Sequence, residues 1–525
     1  MTPRFHDTLS RAVQPLVPIE SGRIGMYTCG PTVYRFAHVG NLRTFLLADL
    51  IRRVILYHGI DVLHVQNITD VGHLRDERFD QGEDRMLVAA GLEGRTAAEI
   101  ADAYEAAFHE DAARINLLPA HDYPRATDHI PEMVDLAERL EDLGHAYATD
   151  AGNVYYAVAS FPGYGSLSGN TLAELRAGHR GEVEGDKRDP ADFALWKAAG
   201  EGRLLSWPTP RWGQGFPGWH LECSAMALRH LGPHFDIHTG GEDNVFPHHE
   251  DEIAQSAPIV GGPPANLWIH GAHLLMSGRK MAKSAGNFQR ITELEDAGID
   301  PLAFRYLCLT ARYGRKLDYS DRSVAAAAAG LASLRAGLRA LGPPPIDGPW
   351  GAPPALRAGT APARPLGRAD GLAGHGQVAG TPGLSLADRA EAPGAPLSAA
   401  GRSFHDIFVA AIDDDLDLPA ALRLARSVLA ADIPAGERRW LLLDMDFVLG
   451  LDLERVWEGR PTDAASRLPA VAEPLLAARA RARAASNWTE ADRLRAALRD
   501  LGVEPIDRAD GSSDWQPIRD ESDSG

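Results

Sequence analysis

The sequence predicts an α/β chain: a Rossmann-like parallel-sheet domain at the N-terminus, followed by an all-helical C-terminal region. Two observations carry this. First, residues 22–34 read as a strand running into a Gly-Pro turn. Residues 40–58 then carry Leu42, Phe45, Leu46, Leu50, Ile51 and Val54 at helical spacing, and residues 61–69 read as a second strand. Strand, turn, helix, strand is a βαβ unit and calls for a parallel sheet. Second, beyond residue 300 the pattern turns helical, over 301–342, 401–457 and 468–500. Ligands of open parallel sheets bind at the C-terminal ends of the strands, which places Cys29, His38 and Thr69 near one edge.

Between these segments, residues 98–145 look helical and 151–210 look like an irregular insertion rich in Gly, Pro and charge. Strand and helix signals resume over 216–288. The stretch 343–400 is dense in Gly, Pro and Ala with few large apolar residues. It cannot bury enough surface to offset its ordering entropy and is expected to be a disordered insertion. A chain of 525 residues exceeds one core, so two to four domains are expected. The pattern divides it into 1–288, carrying an insertion at about 98–210, then 289–342, 343–400, 401–467 and 468–525.

A hydrophobic fraction of 45% and a charged fraction of 24% are those of a globular protein. No apolar run reaches the ~18 residues of a membrane span, and the N-terminus lacks a signal-peptide core. A cytoplasmic location without a membrane partner is the expectation. Three cysteines, Cys29, Cys223 and Cys308, are too few and too scattered for a disulfide scaffold. A net charge of −19 argues against broad, non-specific nucleic-acid binding but leaves room for a local basic surface.

Histidine clusters at 220–249: His220, His230, His234, His238, His248 and His249 are 6 of the chain's 20 histidines, and Cys223 lies among them. His248 and Glu252 are spaced i, i+4, which puts them on one helix face. Zinc takes such Cys, His and carboxylate ligands in a four-coordinate shell, which Cys29 could close from the first strand. The alternative is that the cysteines are small core residues and the histidines surface or capping groups. Residues 36–41 (FAHVGN) precede the first long helix, where His38 could bond phosphate and Gly40 allow close approach. Lys280 and Lys283 sit in a loop with Ser277, Gly278, Ser284 and Gly286, which suits a phosphate clamp or simply a solvated loop.

Taken together these segments resemble the class I aminoacyl-tRNA synthetases, and among them the cysteine-specific family. His38 to Asn41 resembles the family's HIGH signature in its HIGN form. Lys280 to Ser284 resembles KMSKS, with Ala282 where the usual residue is Ser. Residues 26–34 (MYTCGPTVY), 187–197 (KRDPADFALWK), 218–226 (GWHLECSAM) and 246–256 (FPHHEDEIAQS) resemble that family's own blocks. The resemblance is specific over about 20–320 and looser beyond.

It implies activation of L-cysteine by ATP and transfer to tRNA(Cys), in a protein expected to be a monomer. It implies one Zn2+ held by Cys29, Cys223, His248 and Glu252, and Mg2+ accompanying ATP. Gly30, Thr69, Trp219, His238 and Asp243 carry over as substrate contacts; His38, Gly40 and Lys283 as ATP contacts; and His38, Asn41, Lys280 and Lys283 as catalytic groups. It makes 289–342 the stem contact and start of a helical bundle, 401–467 the bundle, and 468–525 the anticodon-binding region. There Arg479, Arg481, Arg483, Arg493, Arg495 and Arg499, with Trp488 and Trp515, offer a basic and aromatic surface. Two rivals share features of the chain. One is the ligase that joins cysteine to glucosaminyl-inositol, which resembles a C-terminally shortened synthetase. The other is a non-enzymatic RNA-binding paralogue, which should lack His38, Lys283 or a zinc ligand.

Overall fold

The computed structural model describes residues 2–72, 74–76, 81–174, 186–200, 203–276, 278–280, 289–346, 349–356, 389, 394–457, 478–479, 481–483, 487–500, 503–507 and 513–517. They form two compact units, Met1–Leu453 and Glu454–Gly525.

The centre of the first unit is a four-stranded parallel sheet. Its strands are β1 (Arg23–Thr28), β2 (Asp61–Gln66), β3 (Phe235–Gly241) and β4 (Ala265–Gly271), in spatial order β4-β3-β1-β2. From β1 the chain passes through helix α1 (Val39–Tyr57) to β2 on one side, and later returns through β3 to the other side of β1. Strand order thus reverses between β1 and β3, and the loops leaving their C-terminal ends part there to form a crevice. Thr28 pairs with Thr239 at that edge, and the Cys29 N–H donates to the Thr239 carbonyl (3.3 Å).

Residues 98–145 form two helices, Ala97–Arg114 and Ile130–Asp142, separated by a segment that bridges to Val65 and Ile68 through Asp122 and Arg125. The stretch read as irregular at 151–210 instead belongs to a five-stranded antiparallel sheet spanning Ala146–Ala148 to Gly213–Pro217. Its strands are only three to six residues long, too short for alternation to register as a pattern. Its Tyr156, Phe193 and Trp196 share one hydrophobic cluster with Cys29 and Cys223.

Helix α2 (Trp219–Leu231) and helix α3 (Glu250–Val260) flank β3. Beyond β4 come α4 (Leu302–Leu309) and α5 (Asp321–Ala340), then α6 (Ala399–Asp413), α7 (Leu418–Val428) and α8 (Ala435–Leu449). Helix α8 packs on α1, so α1 is covered on both sides and is buried along most of its length.

Of the segment 343–400, residues 347–348, 357–388 and 390–393 lie outside the described residues. Part of what is described is buried, while Ile346 is 99% exposed. Arg389 is fully buried, with its guanidinium 4.0 Å from the Tyr57 ring centroid and 4.1 Å from that of Phe447, and it donates to Asp444 (2.6 Å). Leu397 is buried as well.

In the second unit the described residues include helix α9 (Trp488–Asp500) and an antiparallel hairpin of Val503–Asp507 with Ser513–Pro517, an addition to the all-helical expectation. Arg479, read from sequence as part of a basic surface, is 3% exposed. Its burial removes it from the solvent-facing basic surface expected there. Arg493 is exposed and paired with Glu490 (2.7 Å), and the Arg483 guanidinium lies 5.7 Å from the Trp488 ring centroid.

Candidate active site

Each element at the crevice delivers its side chains for a local reason. Cys29 follows β1 directly. Gly30 comes next because nothing larger fits: a Cβ there would lie 1.6 Å from the Asn67 carbonyl oxygen. The Gly30 N–H donates instead to the Asn67 side chain (2.8 Å). Cys223 projects from the second turn of α2. A π-helical turn, Val245–His249, leads into α3 and sets His248, His249 and Glu252 beside the cysteines.

The sulfurs of Cys29 and Cys223 are 3.8 Å apart. His248 Nε2 lies 3.3 Å from the Cys223 sulfur and 3.2 Å from Glu252 Oε1, and Glu252 Oε1 lies 3.7 Å from the Cys29 sulfur. Cys29, Cys223, His248 and Glu252 thus offer ligand atoms that all lie within 4.8 Å of one another. Cys29, His238, His249 and Glu252 form an overlapping group by the same measure, with His249 Nε2 3.1 Å from the Cys29 sulfur and His238 Nε2 2.8 Å from Glu252 Oε2. All are buried. Burial, together with the neighbouring Cys223 and Glu252, pushes the Cys29 thiol well up, and burial takes Cys223 to about 11. Burial pushes His249 well down and, with His238 nearby, takes His270 to about 3. Both imidazoles are therefore neutral and able to act as acceptors or ligands.

Residues outside the sequence-based selection support this cluster. His220 Nδ1 is 2.9 Å from His248 Nδ1, leaving His248 Nε2 to face Cys223. His270 bridges His249 (2.8 Å) and the Thr8 hydroxyl (2.7 Å). Asn67 lies against both Gly30 and Cys223. His220 and His249 belong to the histidine cluster visible in the sequence. Asn67 and His270 carry no local signal, because their roles arise only when strands come together.

Next to the cluster opens a cleft of about 420 Å³, lined by Cys29, Gly30, His38, Gly40, Asn41, Trp219 and Asp243 among others. His38 caps α1. Its Nδ1 accepts from the Asn41 N–H (3.1 Å), while the Asn41 side-chain oxygen accepts from the His38 N–H (3.2 Å). This reciprocal capping box leaves the proton of a neutral His38 on Nε2, as a donor. A Cβ on Gly40 would meet the His38 ring at 2.9 Å. Trp219 stacks on His248, with centroids 4.4 Å apart and planes at 25°.

Thr69 and His238 are not among the residues lining the cleft. Thr69 is buried with its main chain bonded to Pro31 and Val33, and His238 is fully buried behind Glu252. Lys280 ends the short strand Arg279–Lys280, paired with Leu274–Met276. Lys283 and Ser284 lie outside the described residues.

The fold and the crevice define a class I aminoacyl-tRNA synthetase. Residues 15–329 match the family of tRNA synthetases class I (C) catalytic domain, and residues 465–504 match the cysteinyl-tRNA ligase anticodon binding domain. The fold is shared with the Mycobacterium tuberculosis methionyl-tRNA synthetase solved with methionyl-adenylate. That match has a TM-score of 0.51 at 14% identity, over 83% of this chain and 91% of that one. It is shared also with an Agrobacterium radiobacter LeuRS solved in a ternary complex with tRNA and LeuAMS, at TM-score 0.52 and 10% identity over 84% and 86%.

The chain belongs to the cysteine–tRNA ligase family and is an enzyme of that ligase class. It is 40% identical to cysteine–tRNA ligase 1 of Burkholderia lata, over 97% of this chain and 95% of the relative. It is 38% identical to the Thermus thermophilus cysteine–tRNA ligase, over 97% and 98%. Among the described residues, no helix is long and apolar enough to cross a membrane.

Proposed function

We propose that the protein activates L-cysteine with ATP, giving cysteinyl-adenylate and pyrophosphate, and then transfers cysteine to the 3′-terminal ribose of tRNA(Cys), as a cytoplasmic monomer. The observation that supports this reading best is the convergence of two thiols, an imidazole and a carboxylate beside a cleft whose rim is the His38–Asn41 cap.

The donor set of Cys29, Cys223, His248 and Glu252 fits zinc in number and softness. Burial, with the neighbouring Glu252, raises both thiols, and a packed pair of sulfurs beside a carboxylate is a group that a divalent cation would complete. Bound there, zinc would supply a soft centre that takes a thiolate far more readily than a hydroxyl, separating cysteine from serine without an editing domain. Trp219 closes one side of the substrate seat through its stack on His248. Asp243, alongside, offers a carboxylate to the substrate ammonium. Gly30 lets the main chain approach the substrate, and Thr69 and His238 hold the wall of the seat from behind.

Attack of the substrate carboxylate on the α-phosphate needs little covalent help, so positioning and charge stabilisation dominate. His38 donates from Nε2 to the phosphates, Asn41 fixes that tautomer, and Gly40 lets the nucleotide approach the α1 N-terminus. Lys280 and Lys283 bring ammonium groups to the same oxygens. Mg2+ is expected with them, as a hard cation on phosphate oxygens. The anticodon-binding match over 465–504 favours this reading over a ligase acting on a small amine acceptor.

The test is elemental analysis combined with cysteine-dependent pyrophosphate exchange. The expected result is one zinc per chain, with Cys223→Ser losing both the zinc and the exchange. Full exchange by a zinc-free protein would overturn the reading.

A further inference from the structure

We propose that His129 and His230 form a metal site of their own, which takes a borderline divalent transition-metal cation such as zinc between their Nε2 atoms. Neither residue lines the cleft, and the inference does not depend on the aminoacylation reading.

Of the histidines gathered at 220–249, His230 contributes to neither group of ligand atoms in the buried cluster. It stands in the last turn of α2, with its ring centroid 5.0 Å from that of His129, the residue before the helix Ile130–Asp142. His129 Nδ1 lies 2.8 Å from the Arg125 carbonyl oxygen, which can only accept, so Nδ1 carries the ring hydrogen. His230 Nδ1 lies 2.8 Å from Asp122 Oδ2, and an ionised carboxylate likewise only accepts. In neutral rings both Nε2 atoms are then bare lone pairs, yet they face each other at 2.8 Å. Two lone pairs at that distance repel unless a cation sits between them, and that cation is a proton or a metal ion.

The surroundings are those of a metal site. Each ring has its second nitrogen tied, one to a carboxylate and one to a main-chain carbonyl, which is how imidazoles are aimed at a metal and kept in the ligating tautomer. The arginines beside the pair are engaged by other carboxylates: Arg125 by Asp102 (2.8 Å) and Glu105, Arg229 by Glu132 (3.6 Å). Asp122 is left to balance charge on His230. The His230 and Asp122 side chains keep 21% and 12% of their surface exposed, so an ion can enter and solvent can complete a four-coordinate shell. Two imidazoles on tetrahedral zinc stand roughly 3.3 Å apart, so the pair opens by about half an ångström on loading. An ion there ties the end of α2, which carries Cys223, to the segment that bridges β2 through Asp122 and Val65.

The test titrates the full chain with ZnCl2 by calorimetry. The wild-type protein is expected to bind one zinc more than His129→Asn or His230→Asn. Asparagine can keep the bond that Nδ1 makes while removing Nε2, so both variants should stay folded, which thermal unfolding checks. Asp122→Asn should hold that zinc about 10–100-fold more weakly. In the wild-type protein, added zinc should also block carbethoxylation of His129 and His230, mapped by mass spectrometry. The proposal is overturned if the histidine variants bind as much zinc as the wild type, or if zinc leaves the labelling of both histidines unchanged; the pair then holds a proton only. The labelling decides the matter even where a variant unfolds. A buried cluster that takes no zinc lowers the count in wild type and variants alike, which counts against the aminoacylation reading and leaves the difference between them to decide this one.

Discussion

Asp70 shows how much a single side chain can report. It is 6% exposed, and burial pushes its carboxyl up to about 6 even though Thr127 donates to it from its main-chain N–H (2.9 Å) and its hydroxyl (2.6 Å). A folded value above the unfolded one, near 3.9, means the native state holds the extra proton between the two. Stability from this group is therefore full below pH ~4 and declines as pH rises through about 6, by at most ~3 kcal/mol. Asp70→Asn keeps one acceptor for Thr127 and removes the titration. Urea unfolding at pH 4.5 and 7.5 should show a flatter pH dependence for the variant, and parallel profiles would refute the assignment. His220 gives a second residue-scale prediction. It contacts the His248 nitrogen that faces away from Cys223, so His220→Ala should weaken zinc binding about 10–100-fold in a chelator competition while all four ligands remain. Unchanged affinity would show that His248 needs no such support. The proposed ligands could be picked out from the sequence because cysteine, histidine and a carboxylate at i, i+4 are a local pattern. His220, Asn67 and His270 could not be assigned roles, because what they support is set by which strands become neighbours.

At the scale of elements, α1 links the cleft to the helical layer. Its N-terminus is the His38–Asn41 cap. Further along, Asp49 accepts from Arg53 (2.8 Å) and from Arg305 (2.6 Å), and all three are almost fully buried. Arg53 also donates to the Phe447 and Leu356 carbonyls, and Arg305 to those of Leu449, Ile115 and Asn116. Two guanidiniums share one carboxylate and satisfy the carbonyl end of α8, which fixes α8 on α1. The two arginines pull the Asp49 carboxyl below its usual range against the opposing effect of burial. Arg305→Met removes one partner and strands several buried carbonyls, a loss of about 3–5 kcal/mol. Arg139→Met, which breaks an exposed pair with Asp135, should cost under ~1 kcal/mol. Equal destabilisation of the two variants in urea titrations would contradict this account. The sequence placed α1 correctly from its apolar spacing. Its Arg43, Asp49, Arg52 and Arg53 would pass for a solvent face, and they are buried because distant segments cover them: α8 beside Asp49 and Arg53, the Ala272, His273 and Arg315 carbonyls on Arg43, and Pro119 with His121 on Arg52. No local pattern contains that information. The antiparallel sheet at 146–217 was hidden for the opposite reason, since its strands are too short to show a period.

On the scale of the whole molecule, the sequence pattern sets the helical bundle at 401–467 apart from both the sheet domain and the tail at 468–525. Helices α6, α7 and α8 belong to the same compact unit as the sheet, and the boundary falls between Leu453 and Glu454. The anticodon-binding match at 465–504 lies wholly in the second unit. Two truncations separate these accounts. Ending the chain after Leu453 keeps the sheet, the proposed metal-ligand cluster and every contact that α8 makes with α1. That protein should retain pyrophosphate exchange within about threefold, while its charging of tRNA falls about 100-fold or more through weaker RNA binding. Ending it near residue 400 removes α8. Arg305 then loses the Leu449 carbonyl, Tyr57 loses Asp444 (2.6 Å) and His58 loses Asp413 (2.6 Å). Each loss removes a partner from a buried polar or charged group, at about 1–3 kcal/mol apiece. Their sum is comparable to the whole stability of a domain. The shorter protein should therefore lose exchange and charging together, with a large fall in melting temperature. Exchange that survives the cut near 400 would mean α8 is dispensable to the catalytic unit. Charging that survives the cut after Leu453 would place tRNA recognition in the first unit, and the basic residues of α9 would then be an ordinary solvated face.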